Sequence, residues 1–260
     1  MACGKTFRFF HSSFSSLRSS LFPSSLHRYP SAAQSFSSAA RSTAVEHVVL
    51  FKFRDFADQF KIDAVMSGVR SLMSLDVVAH ITAGPVLSHR SAAAGFTHLL
   101  HGRYRSKDDL AAYSAHPAHV AVVEELGRPI LEDILAVDWV ADLDGPMAPP
   151  PGSAMRLTLA KPKEGAESEL KEMLAKAKAS ALASAPTVGT QVSFGENFSP
   201  VRAKGYGVGL LAVFPSLEEL DAMDAREKNR VDSLEEKFKP LLESSIVLDF
   251  VVPPPSTDDL

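Results

Sequence analysis

Apolar positions along this chain recur first with the period of a strand and then with that of a helix. Between residues 47 and 53, His47, Val49, Phe51 and Phe53 share one face and Val48, Leu50 and Lys52 the other, which predicts a strand covered on both sides. Asp58 stands where an N-cap belongs, ahead of Ile62, Val65, Met66, Val69 and Met73 at helical intervals. Further strands are predicted over residues 77–83, closed by Gly84-Pro85, and over 96–104. Ser106-Lys107-Asp108-Asp109 opens a short helix through Tyr113, a helical stretch follows Pro117, and residues 134–140 make the last strand. Strand, helix, two strands, helix, strand implies an antiparallel sheet with helices on one face.

The pattern then starts again. Residues 124–140 and 235–251 run in register without a gap at an offset of 111, matching Pro129 with Pro240, Leu131 with Leu242, Asp138 with Asp249 and Trp139 with Phe250. The second copy predicts a strand at 156–161, then a helix at 167–184 with Leu170, Met173, Leu174 and Ala177 on one stripe. Strands at 188–195 and 205–214 follow. A repeat of this length marks a doubled domain, and each bare apolar sheet face is most simply buried against the other. The expected organisation is a leader at 1–44, domain 1 at 45–143, a proline-rich connector at 144–153, domain 2 at 154–252 and a tail at 253–260.

Composition narrows the function. A net charge of −4 gives no electrostatic case for nucleic acid. No apolar run approaches the roughly 20 residues of a membrane-spanning helix, so no membrane partner is expected. Cys3 is the sole cysteine and lies in the leader, which excludes thiol chemistry from the folded part. Residues 1–44 hold thirteen serines and five basic side chains with no acid, the composition of an organelle transit peptide. Its Met-Ala start and serine density favour a plastid over a mitochondrion. A disordered tail without an address is the other reading, and the terminal Asp-Asp-Leu is not a peroxisomal signal.

His47-Val-Val-Leu-Phe-Lys-Phe53, Gly95-Phe-Thr-His-Leu-Leu100 and Tyr113-Ser-Ala-His-Pro-Ala-His119 resemble the plant stress-responsive dimeric α/β-barrel (Dabb) family, over 45–143 and, in worn form, 154–252. The resemblance implies an α+β fold of two ferredoxin-like βαββαβ domains. They would close as an intramolecular version of the barrel that single-copy relatives form by dimerising, and a homodimer of the tandem chain stays open. It fixes no activity, since most members have none assigned. One member, olivetolic acid cyclase, closes a polyketide by aldol condensation, and its acid/base pair matches Tyr113 and His119, with two further pocket histidines matching His47 and His98. Some family structures hold Mg²⁺ on backbone carbonyls after the long helix, which would be those of Leu72, Leu75 and Val78; no other cofactor is implied. Haem-degrading and quinol-oxidising monooxygenases of the wider group share the fold without a supporting motif here.

Two readings of these side chains stand side by side. In the structural one, His116 caps the helix that begins with Pro117, His47 and His98 satisfy each other or a backbone group, and Tyr113 packs. In the catalytic one, His119 in the first helical turn is held neutral by the positive helix end and acts as base. Tyr113 then supplies a proton or orients a carbonyl. His98 and His101 are three residues apart on a strand, face opposite ways and cannot share a metal. In the second copy Arg156, Val208, Met223, Arg226 and Asn229 replace His47, His98, Tyr113, His116 and His119. Any working pocket therefore belongs to domain 1. The expectation is a stress-response barrel protein, non-enzymatic or without an assigned activity, binding a small apolar ligand there. The alternative is a cyclase- or lyase-like enzyme.

Overall fold

The computed structural model describes residues 42–91, 95–184 and 189–254, the side chains of 177–178, 180–184 and 227–235 excepted. The leader through Arg41 and the side chains of Ala177 and Asn229 lie outside the described residues. Domain 1 runs β1 (Ser42–Phe53), α1 (Gln59–Ser71), β2 (His80–Pro85), β3 (Ser88–His89), β4 (His98–Tyr104), α2 (Lys107–Ala115), α3 (Pro117–Ala121) and β5 (Leu131–Leu143). Domain 2 runs β6 (Ala154–Pro162), α4 (Glu167–Ser184), β7 (Gln191–Glu196), β8 (Val208–Phe214), α5 (Leu217–Phe238) and β9 (Leu242–Val251). All pairing is antiparallel, in sheets ordered β2-β4-β1-β5 and β3-β9-β6-β8-β7.

Of the boundaries that differ from the pattern, three have a plain local reason. β1 begins inside the expected leader because Ser42–Ala44 pair with Leu143–Ala141 of β5. Val77 and Val78 stay in a turn, where the Val78 N–H donates to the Leu75 carbonyl at 2.9 Å. Gly84 and Pro85 belong to β2 rather than ending it, since β2 is an edge strand and a proline there costs no ladder bond. Asp58 caps α1 as expected, accepting the Phe60 N–H at 2.9 Å.

β3 is not legible in the pattern, and it closes the barrel. It continues from the domain 1 sheet and pairs Ser88 and His89 with Asp249 and Leu248 of domain 2. The opposite seam is made by domain 2, where Phe198 N–H donates to the Asp138 carbonyl at 2.9 Å and Asn197 Oδ1 accepts the Asp138 N–H at 3.0 Å. Leu87 N–H to the Asp249 carbonyl, 2.8 Å, is the counterpart of the first of these bonds at the repeat offset. Each domain thus lays a strap, residues 86–91 or 197–202, across the last strand of the other.

Between the sheets one apolar core draws on both domains, including Val48, Leu50, Leu99, Leu135, Met155, Leu157, Leu211 and Phe250 around a fully buried Trp139. A side chain at Gly209 would meet the Trp139 ring at 2.4 Å, and one at Gly195 would meet Trp139 Cβ at 2.9 Å. Gly209 thus admits the tryptophan of the other domain against the sheet. The outward face of the domain 1 sheet carries Val45, Val49, Phe51, Leu100 and Tyr104, packed under Val65, Met66 and Val69 of α1.

One end of the inner core is polar. Glu46 accepts from Arg103 Nε and Nη2 at 3.0 Å each, from His101 Nε2 at 2.6 Å and from Ser193 Oγ of domain 2 at 2.8 Å. Arg103 Nη1 also donates to Gln191 Oε1 at 3.0 Å and to the connector carbonyls of Pro146 and Met147. Glu46, His101 and Arg103 are fully buried. Burial alone would raise the Glu46 pKa, but the charges and hydrogen bonds of His101 and Arg103 outweigh it and hold the carboxyl at about 2.

Candidate functional site

The outward face of domain 1 carries the chemistry. β1 and β5 run side by side with His47 opposite Asp138, and His47 Nδ1 donates to Asp138 Oδ1 at 2.5 Å. A carboxylate can only accept, so Nδ1 carries the proton of this bond and Asp138 fixes the orientation of the ring. α2 begins at Ser106, whose Oγ accepts the Asp109 N–H at 3.0 Å, and it brings Tyr113 down onto the sheet, buried. It ends at His116 because a residue before proline avoids the helical region; there φ is −65° and ψ is 134°. His116 Nδ1 then caps α3 by accepting the Ala118 N–H at 3.1 Å, the role expected of it.

That break has a consequence for His119. It frees the Ser114 carbonyl, which accepts His119 Nδ1–H at 3.0 Å, so the neutral ring of this histidine keeps its lone pair on Nε2. Its pKa is lowered chiefly by burial; the Ser114 bond opposes this, and His47 and Arg202 lower it further. The helix end invoked from sequence is not the main cause. Burial also pushes the Tyr113 phenol up to about 12, so Tyr113 keeps its proton at neutral pH. The Tyr113 ring centroid lies 4.6 Å from that of His119, 6.2 Å from His47 and 5.1 Å from Tyr104.

These groups line one end of a cavity of about 490 Å³. Its walls are Val49, Phe51, Leu100, Val122, Leu131 and Ile134, and its rim is the domain 2 strap from Phe198 to Arg202. Of the four side chains singled out in the sequence, His47, Tyr113 and His119 come together here. His98 does not. It pairs with Phe51, four residues along β1 from His47, and its ring meets Phe53 edge-on at 5.0 Å while Nδ1 sits 2.9 Å from Thr97 Oγ1. Sequence reasoning misses two participants. Asp138 is visible as a repeat position matched by Asp249, which points to packing alone. The strap residues give no signal, because their role depends on pairing across domains.

The carbonyls that the resemblance implies for a cation are partly engaged. Leu72 and Leu75 already accept backbone N–H groups from Leu75 and Val78, and Arg105 donates to the adjacent Asp76 carbonyl at 3.3 Å. Among the described residues no group of three or more His, Cys, Asp or Glu side chains is placed to hold a metal.

The equivalent position in domain 2 holds an ion-pair network. Arg156 stands opposite Asp249 as His47 stands opposite Asp138. It donates Nε to Asp249 Oδ1 at 2.8 Å and forks onto Asp224 through Nη1 at 2.6 Å and Nη2 at 2.9 Å. Arg90, from the domain 1 strap, completes the network with Nε to Asp249 Oδ2 at 2.5 Å and Nη2 to Asp224 Oδ2 at 2.6 Å. Burial works against charge on Asp249, yet Arg156 and Arg90 hold it below the usual carboxylate range.

A sequence model described as the stress responsive A/B barrel domain matches residues 45–141 and again 155–252. Two stress-response A/B barrel domain-containing proteins of Arabidopsis thaliana are similar over most of the chain. One is 46% identical over 219 residues, spanning 84% of this chain and 82% of its own. The other is 41% identical over 221 residues, 82% of this chain and 98% of its own. Among solved structures, an anthrone oxidase-like protein superposes with a TM-score of 0.55 at 12% identity, covering 86% of this chain and 97% of that one. At that identity the likeness is one of fold.

Proposed function

This chain belongs to the stress responsive A/B barrel domain family, and from that premise we propose that its first domain holds a small, largely apolar molecule in the cavity beside His47 and Asp138. The observation that carries the reading is a contrast between equivalent places in one molecule. About 490 Å³ is open in domain 1, whereas in domain 2 Arg156, Asp224 and Asp249 occupy the matching position. Cavities of roughly 300–1,000 Å³ with apolar walls and a few convergent polar groups suit small-molecule ligands. The full chain should bind the neutral fluorescent probe N-phenyl-1-naphthylamine at one saturable site. Ala136→Trp, which fills the cavity from its wall, should weaken that binding at least about tenfold without lowering the unfolding midpoint. Equal binding by both proteins would overturn the reading.

A second reading, an acid–base enzyme of cyclase or lyase type, is favoured by the proton inventory of the same cavity. His119 offers an unprotonated Nε2, Tyr113 a retained phenolic proton, and His47 is oriented by Asp138. That set suits abstraction of a proton next to a carbonyl, with the phenol donating to the developing enolate oxygen. The wild type should then accelerate deuterium uptake at the carbon flanking the carbonyl of a small aryl ketone, followed by NMR. His119→Ala should abolish the acceleration and leave probe binding unchanged. Uptake at the uncatalysed rate in the wild type refutes the enzyme and leaves the ligand-binding reading standing.

A further inference from the structure

We propose that the ligand of the domain 1 cavity is an amphipathic carboxylate, and that Arg202, supplied by domain 2, binds its carboxylate at the rim. The inference rests on the cavity being a ligand site, as proposed above, and is carried by the internal symmetry of the barrel. Phe198 meets the Asp138 carbonyl as Leu87 meets that of Asp249, so the two straps enter alike; beyond that point Ser88 and His89 pair with β9, whereas Pro200–Arg202 form a 3-10 turn. Each brings an arginine over the other domain's site, Arg90 three residues past Leu87 and Arg202 four residues past Phe198.

What the arginines find differs. Arg90 grips two carboxylates, Asp249 on β9 and Asp224 on α5. At the first site the counterpart of Asp249 is Asp138, already engaged by His47. The counterpart of Asp224 is Ser114, placed by the two helix caps Ser106 and Ser216. Ser114 carries no charge, spends its hydroxyl on the Leu110 carbonyl at 2.8 Å, and lines the cavity. Among the described residues Arg202 has no hydrogen-bonding or ion-pair partner. It lines the cavity and lies close enough to His119 to disfavour its protonation.

The first site therefore keeps the arginine and lacks the carboxylate, in a place where the second site shows a carboxylate fits. A ligand whose acid group occupies the position of the missing Asp224 side chain would satisfy the guanidinium at the rim. Its apolar body would lie along Val49, Phe51, Leu100, Val122 and Ile134. Arginine suits this role because its planar fork takes a carboxylate through two donors. The strap holding it is anchored independently, by Asn197 Nδ2 to the Tyr206 carbonyl at 3.2 Å and Asn197 Oδ1 to the Ser199 N–H at 2.9 Å. Domain 2 thus supplies a specificity determinant to domain 1.

Competition against N-phenyl-1-naphthylamine with the matched pair 4-phenylbutyrate and 4-phenylbutanol tests this on the full chain. The acid should displace the probe at least about tenfold more tightly than the alcohol at low salt, with a smaller margin as salt rises. Arg202→Gln should bring acid and alcohol to within about twofold of each other, each referred to the probe's affinity for the same variant, and Arg202→Lys should keep part of the preference. Equal displacement by acid and alcohol in the wild type, or a preference that survives Arg202→Gln, overturns the proposal and spares the cavity. Failure of the neutral probe to bind, or its undiminished binding to Ala136→Trp, takes down the cavity reading and this proposal with it.

Discussion

Glu46→Gln should cost this protein more stability than any surface change, and the amount follows from what the carboxylate touches. Four donors converge on Glu46, three of them from His101 and Arg103, and none of the three residues is exposed. The amide turns one acceptor oxygen into an NH₂ facing donors, and it leaves the Arg103 guanidinium buried without its counter-charge. Breaking a buried pair from one side costs about 3–5 kcal/mol. For a chain of this size that is a fall in Tm of roughly 6–20 °C. Domain 2 supplies the control. By register Met155, Leu211 and Val213 stand where Glu46, His101 and Arg103 stand in domain 1. Replacing all three together, as Glu46→Met, His101→Leu and Arg103→Val, should therefore recover more than half of the loss, because the stranded charge goes with the carboxylate. Urea unfolding followed by circular dichroism measures both variants. A Glu46→Gln loss below about 1 kcal/mol, or a triple variant less stable than the single one, would refute the claim that the buried charge sets the cost.

Three further outcomes are expected. Burial, aided by His101 and Arg103, lowers the His80 pKa to about 3, so the unfolded chain binds a proton there that the folded chain refuses. Stability should fall by about 2 kcal/mol from this residue between pH 7.5 and pH 5, and His80→Gln, the residue that domain 2 carries at Gln191, should flatten the slope in urea titrations; an unchanged slope counts against it. Gly209→Ala should destabilise by about 1–3 kcal/mol and shift the emission of the sole tryptophan, since the new methyl would lie 2.4 Å from the Trp139 ring; unaltered emission and midpoint would show the seam to be looser than described. Residues 1–44, which we propose to be a plastid address, should carry a fused fluorescent reporter to plastids in leaf cells, and a mitochondrial or diffuse signal would reject that address.

Much of the site is readable in the sequence because its cause is local. The His-Pro step that ends α2 and starts α3 is written in residues 116–117, and with it the placing of Tyr113 and His119 near one another. Period-two alternation likewise separates His47 from Glu46 and His98 from His101. Alternation assigns a face but not a neighbour, which is why it groups His98 with His47 although four residues of strand part them. It also leaves Glu46, His101 and Arg103 unread as a cluster, since polar residues at inner positions declare themselves only once Ser193 and Gln191 arrive from about 90 to 150 residues away. The straps escape for the same reason. Short strands such as β3 take their stability from a distant partner, and nothing in Ser88-His89 names Asp249.

In a symmetric pair of identical subunits every substitution lands twice, so a change that closes one pocket closes both. Covalent fusion lifts that constraint. Here Arg156 with Asp224 and Asp249 has turned one half into a buttress, while His47 with Asp138 keeps a hollow in the other. Because domain 2 contributes the rim of the domain 1 hollow, cutting the chain at the connector would strip the retained pocket of its wall from Phe198 to Arg202 as well as its support. The two copies have ceased to be interchangeable, and neither is now a complete unit alone.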